Sequence, residues 1–256
     1  MAKIFCVANQ KGGVGKTTTA VNLAAGLAQL NQRVLLADLD PQGNATMGAG
    51  INKADLKATI YQVLLGMSDI KSVCVTSETG KFDVLPANRE LAGAEVEMVE
   101  LENRENRLKQ AFALVADDYD FILIDCPPAL SLLTLNGLCA ANGVIIPMQC
   151  EYYALEGLSD LVNTIKKVHA NLNPDLKIIG LLRVMFDPRM TLSQQVSSEL
   201  ENHFGDKVFK TVIPRNVRLA EAPSYGMPGV VFDPASKGAQ AYIEFGAEMV
   251  ERIKTM

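Results

Sequence analysis

The segment Gln10–Thr18 limits the possible folds of this chain more than any other, because glycines at 12, 13 and 15 lie between an apolar run and a helical pattern. The apolar run Ile4–Ala8 predicts a strand, and the helical pattern begins at Lys16. Closely spaced glycines allow the backbone to curl until successive N–H groups point at one anion. The N-terminus of the following helix adds partial positive charge. This arrangement predicts a phosphate-binding loop.

The residues of this loop have predicted roles in binding a nucleoside triphosphate. Lys16 is placed to neutralise the β- and γ-phosphates, and Thr17 to put its hydroxyl on Mg²⁺. The common pattern G-x-x-x-x-G-K-[ST] is not met, because Gln10 occupies the position of the first glycine. Lys11 instead supplies a second cation at the start of the loop. The predicted nucleotide-binding residues here are Lys11, Gly12, Gly13, Val14, Gly15, Lys16, Thr17 and Thr18.

Strand-like and helix-like segments alternate along the chain, which predicts an α/β fold with a doubly wound, mostly parallel sheet in one domain, 1–256. Continuously apolar runs are typical of parallel strands covered on both faces. Strands are predicted at Ile4–Ala8, Arg33–Asp38, Phe82–Pro86, Phe121–Asp125, Gly143–Pro147, Lys177–Val184 and Lys207–Ile213. Helices are predicted at Lys16–Gln29, Ala54–Leu65, Leu91–Val115, Leu133–Ala141, Leu155–Asn171, Leu192–Phe204 and from about Gly238 to Lys254.

Carboxylates follow two of the predicted strands. Asp38 and Asp40 end the second strand, where a spacing of two points both side chains the same way. One is suited to the Mg²⁺ shell and the other to polarising the attacking water. The alternative is a plain turn, since Asp-Pro-x-Gly is good turn chemistry. Asp125 closes the apolar run Phe121–Ile124, as in a Walker B strand that reaches the Mg²⁺ water shell.

The tetrapeptide Asn52–Asp55 matches N-K-x-D, which reads guanine in many GTPases. In those proteins it lies well downstream of the Walker B strand, whereas here it lies far upstream. We interpret it as a helix start, with Asn52 or Asp55 as the cap. This interpretation favours ATP over GTP.

The composition excludes several classes of site. No apolar run approaches the roughly 20 residues that span a bilayer, and the N-terminus lacks a signal-peptide pattern, so we expect a cytoplasmic protein. Five cysteines form no C-x-x-C pair and there are two histidines, which disfavours disulfides, a zinc site and Ser-His-Asp or Cys-His catalysis. A net charge of −5 argues against a surface coated in positive charge but permits a local basic patch.

The motifs together resemble the ParA/Soj family of deviant-Walker ATPases, which are relatives of MinD. The resemblance covers nearly the whole chain and implies ATP and Mg²⁺ as cofactors. It is carried by K-G-G-x-G-K-T-T, D-L-D-P-Q-G-N and I-D-C-P-P, and by the segments Pro147–Gly157 and Ile213–Ser224.

This resemblance also implies roles for individual residues. Lys11 would cross to the ATP of the other subunit in a sandwich homodimer, where Gly12 permits the close approach of two loops. The implied catalytic residues are Lys11, Lys16 and Asp40, of which Asp40 positions or activates water. The implied metal residues are Thr17, Asp38 and Asp125, and the adenine-side residues are Pro214, Arg215 and Asn216.

ATP-bound dimers of this family bind DNA without sequence preference, and a ParB-type partner stimulates their slow hydrolysis. Arg189 and Arg218 fall where the family places phosphate-contacting arginines, and Arg215 and Lys237 are weaker candidates. The alternative is that these side chains are solvated or salt-bridged. Dimerisation would double a sparse patch, which reconciles an acidic chain with DNA binding and association with the nucleoid.

Two rival functions remain open. A membrane-associated, MinD-like positioning ATPase needs a basic amphipathic tail, which the C-terminal helix lacks, so we expect no membrane binding. The apolar positions of that helix, such as Tyr242 and Phe245, predict packing on the sheet instead. A metabolic enzyme that transfers phosphoryl or amide groups to a small molecule needs a charged substrate pocket, and none is identifiable in the sequence.

Overall fold

The computed structural model describes residues 1–152 and 154–254, and its strands form one sheet with the order β3-β4-β2-β5-β1-β6-β7-β8. Neighbouring strands are parallel except for β3 and β4, which are antiparallel. The strands are β1 (Lys3–Val7), β2 (Val34–Asp38), β3 (Val75–Ser77), β4 (Phe82–Leu85), β5 (Phe121–Asp125), β6 (Gly143–Met148), β7 (Lys177–Phe186) and β8 (Val208–Pro214). The predicted fold class, a doubly wound and mostly parallel sheet, is confirmed.

Helices cover both faces of the sheet. They are α1 (Lys16–Gln29), α2 (Asn44–Gly48), α3 (Ile60–Leu64), α4 (Ile70–Val73), α5 (Leu91–Glu97), α6 (Arg107–Ala113), α7 (Leu132–Ala140), α8 (Ala154–Asn171), α9 (Thr191–Phe204), α10 (Val217–Glu221), α11 (Gly229–Phe232) and α12 (Lys237–Lys254). Every residue of β2, β5 and β6 is buried, which explains why these strands read as unbroken apolar runs.

Helices α1 and α12 pack closely on one face of the sheet. Tyr242 of α12 is fully buried, and its hydroxyl lies 3.0 Å from that of Thr19 in α1. A Cβ at Gly26 would lie 3.2 Å from the carbonyl oxygen of Tyr242, so glycine permits this approach. Phe245 and Met249 join the same core. The packing role predicted for the apolar positions of the C-terminal helix is therefore observed. Within the described residues, no helix combines the length and the apolar character that crossing a membrane requires.

The predicted helix Ala54–Leu65 is wrong. A short 3₁₀ turn, Lys53–Asp55, is followed by the separate helix α3. Thr59 explains the break, because its hydroxyl accepts a hydrogen bond from Tyr61 N, and the side chain of Gln62 accepts one from Thr59 N in return. Asn52 caps the 3₁₀ turn through Ala54 N, which agrees with its interpretation as a cap.

The predicted helix Leu91–Val115 is also wrong, since α5 and α6 occupy its two ends. Asn103 lies between them with a left-handed φ of 53°, which interrupts the helix. The start of α6 is instead held by Asn136 of α7, whose side chain accepts from Leu108 N and donates to Arg104 O. The three-residue edge strand β3 and the short helices α2, α4, α10 and α11 were not predicted.

Candidate functional site

The glycine-rich loop joins β1 to α1 at the carboxyl end of the sheet. Gly13 and Gly15 have φ values of 73° and 75°, a left-handed conformation that suits glycine. Gly15 has no side chain to cap α1, so the first-turn N–H groups face the loop. Val14 is buried beneath it. No atom lies within 4 Å of a Cβ placed at Gly12, so the role of this glycine in a close approach between subunits stays a prediction.

The two lysines of the loop point in different directions. Lys16 is 7% exposed, and its ammonium donates to the carbonyl oxygen of Lys11 at 3.0 Å. Burial lowers the pKa of Lys16, and the charges of Asp125 and Asp40 oppose this change. The Lys11 side chain is 45% exposed and pairs with Glu151, with 2.7 Å between Nζ and Oε2.

Asp125 carries an unpartnered buried carboxylate. Both of its oxygens are buried and form no hydrogen bond within the described residues. Its pKa lies well above the ordinary value, because of burial first and the charge of Asp38 second. The Thr17 hydroxyl and the Lys16 ammonium are near enough to oppose this rise. A buried carboxylate beside a hydroxyl is a suitable environment for a hard cation, so the residues present fit Mg²⁺.

A protein-only metal cage is not part of this site. Within residues 1–152 and 154–254, no group of three or more His, Cys, Asp or Glu side chains is placed to hold a metal ion. Mg²⁺ usually keeps several waters and takes one or two carboxylates together with substrate phosphates. Thr17 and Asp125 therefore supply the kind of partial ligand set that a nucleotide would complete.

Asp38 is brought beside Asp125 but is already engaged. The two residues are register partners in β2 and β5, and Asp38 is fully buried. Its oxygens accept hydrogen bonds from Thr46 N, Thr46 Oγ1 and Asp40 N at 2.8, 2.7 and 3.2 Å. Burial raises its pKa to about 6, and the hydrogen bonds from Thr46 oppose this rise. Its predicted role toward the metal stays a prediction.

Asp40 lies in a turn and not on a strand. Since β2 ends at Asp38, the expectation that both carboxylates share a strand face is wrong. Gly43 N donates to Asp40 O at 2.8 Å and Gln42 N donates to Asp40 Oδ1 at 2.9 Å, which is the turn chemistry of Asp-Pro-x-Gly. Asp40 remains half-buried, and its charge acts on both Lys16 and Asp125. The turn and a catalytic role are therefore compatible.

The segment after β8 comes beside the phosphate loop. A narrow cleft has Thr17 and Thr18 on one wall and Leu219 and Pro223 on the other. Pro214 ends β8, and Asn216 caps α10 by accepting from Arg218 N and Leu219 N. The adenine-side roles of Pro214, Arg215 and Asn216 stay predictions.

The four DNA-contact candidates lie near the carboxyl ends of β7 and β8. Arg189 forms two hydrogen bonds with Asp187, at 2.9 and 2.7 Å, and these hold the pKa of Asp187 at about 2. Arg218 pairs with Glu221 and Asp233. Both arginines are thus salt-bridged, which agrees with the alternative that these side chains are solvated or paired with carboxylates.

The two weaker candidates for DNA contact, Arg215 and Lys237, differ from Arg189 and Arg218. Among the described residues, no ion pair involves Arg215 or Lys237. Arg215 N donates to Phe186 O, which places Arg215 next to the Asp187–Arg189 pair. Lys237 begins α12. Contact with DNA stays a prediction for all four residues.

Sequence reasoning missed three polar contacts of the site. Glu151 pairs with Lys11, Gln149 donates to the carbonyl oxygen of Gly13 at 3.1 Å, and Thr46 binds Asp38. Glu151 and Gln149 lie in the segment Pro147–Gly157, which carries part of the family resemblance. The sequence therefore indicated this segment but not the contacts of these two side chains. Tyr153 of that segment lies outside the described residues.

A large charged cavity lies far from the phosphate loop. It has a volume of about 720 Å³ and is lined from the amino ends of β7 and β8, with Lys177, Lys207 and Glu251 among its charged residues. Because the strands are parallel, this cavity is at the opposite end of the sheet from the nucleotide loop.

Comparisons with known proteins identify the family of this chain. A family model described as AAA domain matches residues 2–178. The sporulation initiation inhibitor protein Soj of Bacillus subtilis is 53% identical over 97% of this chain and 98% of that protein. The chromosome-partitioning ATPase Soj of Treponema pallidum is 49% identical over 98% of both.

A solved structure is similar over almost the full length. It is the crystal structure of cobyrinic acid a,c-diamide synthase from Mycobacterium smegmatis with a bound ATP analog and magnesium. It is 39% identical, has a TM-score of 0.87 and is matched over 99% of this chain and 96% of that one. Since full-length identity to Soj proteins is higher still, the chain belongs to the ParA/Soj family of chromosome-partitioning ATPases.

Proposed function

We propose that this chain is an ATP-switched partitioning ATPase that binds ATP with Mg²⁺, dimerises around the nucleotide and binds DNA without sequence preference in that state. Slow hydrolysis, stimulated by a ParB-type partner, returns it to the monomer. The general role follows from membership of the ParA/Soj family. ATP and Mg²⁺ agree with the similar structure that holds an ATP analog and magnesium.

The contrast between Lys11 and Lys16 carries this proposal. Lys16 is turned into its own loop, where a bound phosphate would replace the carbonyl oxygen of Lys11 as its partner. Lys11 is half exposed and held by the single carboxylate of Glu151, so its ammonium is available to a ligand outside the loop. A second chain that presents its own nucleotide would supply such a ligand. Binding and dimerisation are then one event.

The residues of the site divide the hydrolysis step among them. The loop amides and Lys16 bind the phosphates, and Lys11 of the opposing chain adds positive charge where negative charge develops. Thr17 and Asp125, with Asp38 beside them, would hold Mg²⁺, which would supply positive charge to neutralise the phosphates. Asp40 accepts a hydrogen bond from the attacking water and orients it. Gln149 holds the loop in shape through the Gly13 carbonyl.

The DNA-binding part of the proposal requires ion pairs to be exchanged. Arg189 and Arg218 release Asp187, Glu221 and Asp233 when they bind phosphates. Exposed pairs of this kind contribute little to stability, so their exchange for DNA phosphates costs little. A dimer presents each arginine twice, which raises affinity without making the chain basic. This binding would be strongly salt-dependent.

An enzyme that forms amides on a small molecule is the second candidate function, because the similar solved structure at 39% identity is that of a cobyrinic acid a,c-diamide synthase. The charged cavity at the far end of β7 and β8 is too remote from the nucleotide loop to serve such a reaction. The two candidates differ in what accelerates ATP turnover. DNA together with a ParB-type protein should accelerate it in a partitioning ATPase, whereas a carboxylic acid substrate with an amide donor should do so in the enzyme.

Three substitutions test the proposal: Lys11→Ala, Lys16→Ala and Asp40→Ala, with Lys109→Ala as the control for loss of an exposed lysine. ATP binding, sedimentation with and without ATP, and retention on non-specific DNA are measured for each. Lys16→Ala should lose nucleotide binding. Asp40→Ala should dimerise and stay on DNA without hydrolysing ATP.

Lys11→Ala decides the sandwich arrangement. It should bind ATP as a monomer and fail to bind DNA, while Lys109→Ala behaves as the wild type. Normal dimerisation and hydrolysis by Lys11→Ala would overturn the proposal. Vesicle flotation with ATP and no nucleic acid separates the membrane-associated alternative, because only a MinD-like protein should float.

A further inference from the structure

The turn that carries Asp40 is fixed by its neighbours. It runs from the end of β2 to the start of α2 and is closed by the hydrogen bond from Gly43 N to Asp40 O. Gly43 has a left-handed φ of 62°, and a Cβ there would lie 2.7 Å from the carbonyl oxygen of Ala87. The turn is therefore pressed against Ala87, two residues beyond the end of β4.

Asp38 joins the two ends of this turn. Its Oδ1 accepts from Asp40 N at 3.2 Å, and its Oδ2 accepts from Thr46 N at 2.8 Å and Thr46 Oγ1 at 2.7 Å. The first donor lies at the start of the turn and the other two lie in α2, beyond its end. One buried carboxylate thus holds the main chain on both sides of Asp40.

The hydroxyl of Thr46 connects this arrangement to the segment that follows β4. It donates to Asp38 and accepts a hydrogen bond from Ala87 N at 2.9 Å. Thr46 and Ala87 are fully buried, so water cannot replace either partner. A methyl group at the position of the hydroxyl would leave the Ala87 N–H without an acceptor and Asp38 with one donor fewer.

We propose that Thr46 is a positioning residue for ATP hydrolysis, which acts through Asp38 to hold Asp40 in the orientation that catalysis requires. This rests on the proposed function, in which Asp40 orients the attacking water. Thr46 touches neither nucleotide nor water in this scheme. Its hydroxyl, and not its volume, is the essential feature.

The test compares Thr46→Val, which keeps the shape of the side chain, with Thr46→Ser, which keeps the hydroxyl. With saturating ATP and Mg²⁺, Thr46→Val should lose about tenfold to a hundredfold in kcat, because small displacements of a catalytic group are costly. Its Kd for ATP should stay close to that of the wild type. Thr46→Ser should retain kcat. A role in filling space alone predicts the opposite order, since serine loses the methyl group.

Hydrogen exchange without nucleotide supplies a readout independent of activity. Peptides that cover residues 39–47 should exchange faster in Thr46→Val than in the wild type or Thr46→Ser, while peptides from α12 stay unchanged. The control is Thr59→Val, which removes the hydroxyl of a buried threonine that caps α3 and bonds to Tyr61 and Gln62 rather than to Asp38. It should lower the melting temperature and leave kcat unchanged.

Each outcome decides between clear alternatives. If Thr46→Val hydrolyses ATP at the wild-type rate, or if Thr59→Val loses as much activity, the positioning role is overturned. If Thr46→Val melts below the assay temperature, hydrogen exchange of residues 39–47 is compared in Thr46→Ser and Thr46→Ala at a lower temperature. The positioning role then predicts faster exchange than in the wild type for Thr46→Ala and not for Thr46→Ser. If the wild type neither binds nor hydrolyses ATP, the proposed function fails, while the exchange data still report on the turn.

Discussion

The two lysines of the phosphate loop are separated by four residues and meet opposite environments. Lys16 is buried and bonded within its own loop, and Lys11 reaches across the surface to Glu151. The glycine-rich loop therefore directs the ammonium of Lys16 into the protein and leaves that of Lys11 at the surface. At the scale of single residues, Glu151 is the group that restrains the outward cation.

Glu151→Gln should favour dimerisation. The change removes the charge that pairs with Lys11 but keeps the size of the side chain. Exposed ion pairs are worth about 0–1 kcal/mol, so the ATP concentration at half-dimerisation should fall by at most about fivefold. Sedimentation over an ATP titration measures this, with Glu102→Gln as the control for loss of an exposed carboxylate. A rise in that concentration would mean that Glu151 guides Lys11 in the dimer and does not restrain it.

Motif spacing located the loop, Asp38 and Asp125 because each follows directly from a strand or glycine pattern. It could not locate Glu151 or Thr46, because their contacts join residues far apart in the chain or depend on how a turn closes. Lys11 and Glu151 are 140 positions apart, and no local pattern signals that pairing. The sequence also predicted strand geometry for Asp40, where the turn residues Pro41 and Gly43 end the strand earlier.

At the scale of elements, a side chain of α12 holds the edge strand β8 where its pairing with β7 is irregular. Lys210 N and Thr211 N, which lie where the register of β8 against β7 shifts, both donate to Glu248 of α12 at 2.9 Å. Arg252 pairs with the same carboxylate and stacks over Phe209. The carboxylate of Glu248 thus serves as the acceptor for two main-chain N–H groups at this irregularity.

Glu248→Gln should destabilise the protein in a pH-dependent way. Burial acts to raise the pKa of Glu248, but hydrogen bonds from Thr211 and Lys210 outweigh it, so the pKa is lowered. A lowered pKa contributes stability that is present above the unfolded value near 4.5 and is lost as pH falls below it. The variant should therefore lose about 1–2 kcal/mol of unfolding free energy at pH 7 and less at pH 4.

Urea denaturation at both pH values measures this loss. The control is Glu251→Gln on the same helix, because Glu251 pairs with Lys254 at the surface. An equal loss for Glu248→Gln at pH 7 and pH 4 would contradict the assignment of the ionised carboxylate to the edge of β8.

Element boundaries show which signals the sequence lacked. The apolar residues across 54–65 and 91–115 do follow a helical spacing. Thr59 interrupts the first segment because it caps α3, and Asn103 interrupts the second because its backbone is left-handed. Those interruptions are stabilised by Gln62 and Asn136, and the second of these lies on another helix. Buried strands were predicted well because their apolar runs are unbroken, whereas the three-residue β3 has exposed positions and no such run.

At the scale of the whole molecule, the predicted phosphate- and metal-binding residues and the DNA-contact candidates occupy different regions of one sheet edge. The former follow β1, β2 and β5 near the centre, and the latter follow β7 and β8 at one side. The phosphate loop touches the second region through Gln149, which contacts both Gly13 O and the sulfur of Met185.

Arg189→Glu should abolish ATP-dependent retention on DNA while nucleotide binding survives. The variant replaces a phosphate-seeking cation by a carboxylate in both chains of a dimer. Lys57→Glu, on an exposed loop, changes the net charge equally and should retain binding. Filter binding over a salt series measures both, and Arg189→Ala should reduce the salt slope by about 2. Unchanged retention of Arg189→Glu at low salt would remove this arginine from the DNA surface.

The order of the strands also has an evolutionary consequence. The predicted phosphate- and metal-binding residues come from the first 125 positions, whereas the predicted adenine-side residues and the DNA-contact candidates come after position 186. The matched family model ends at residue 178, between these two groups. Substitutions at Arg189 or Lys237 can therefore change the predicted DNA surface without altering the phosphate loop, whereas a substitution at Arg215 acts on both of its predicted roles. A hybrid of two relatives joined within β7 would exchange the DNA-contact candidates and the adenine-side residues together and keep the phosphate loop.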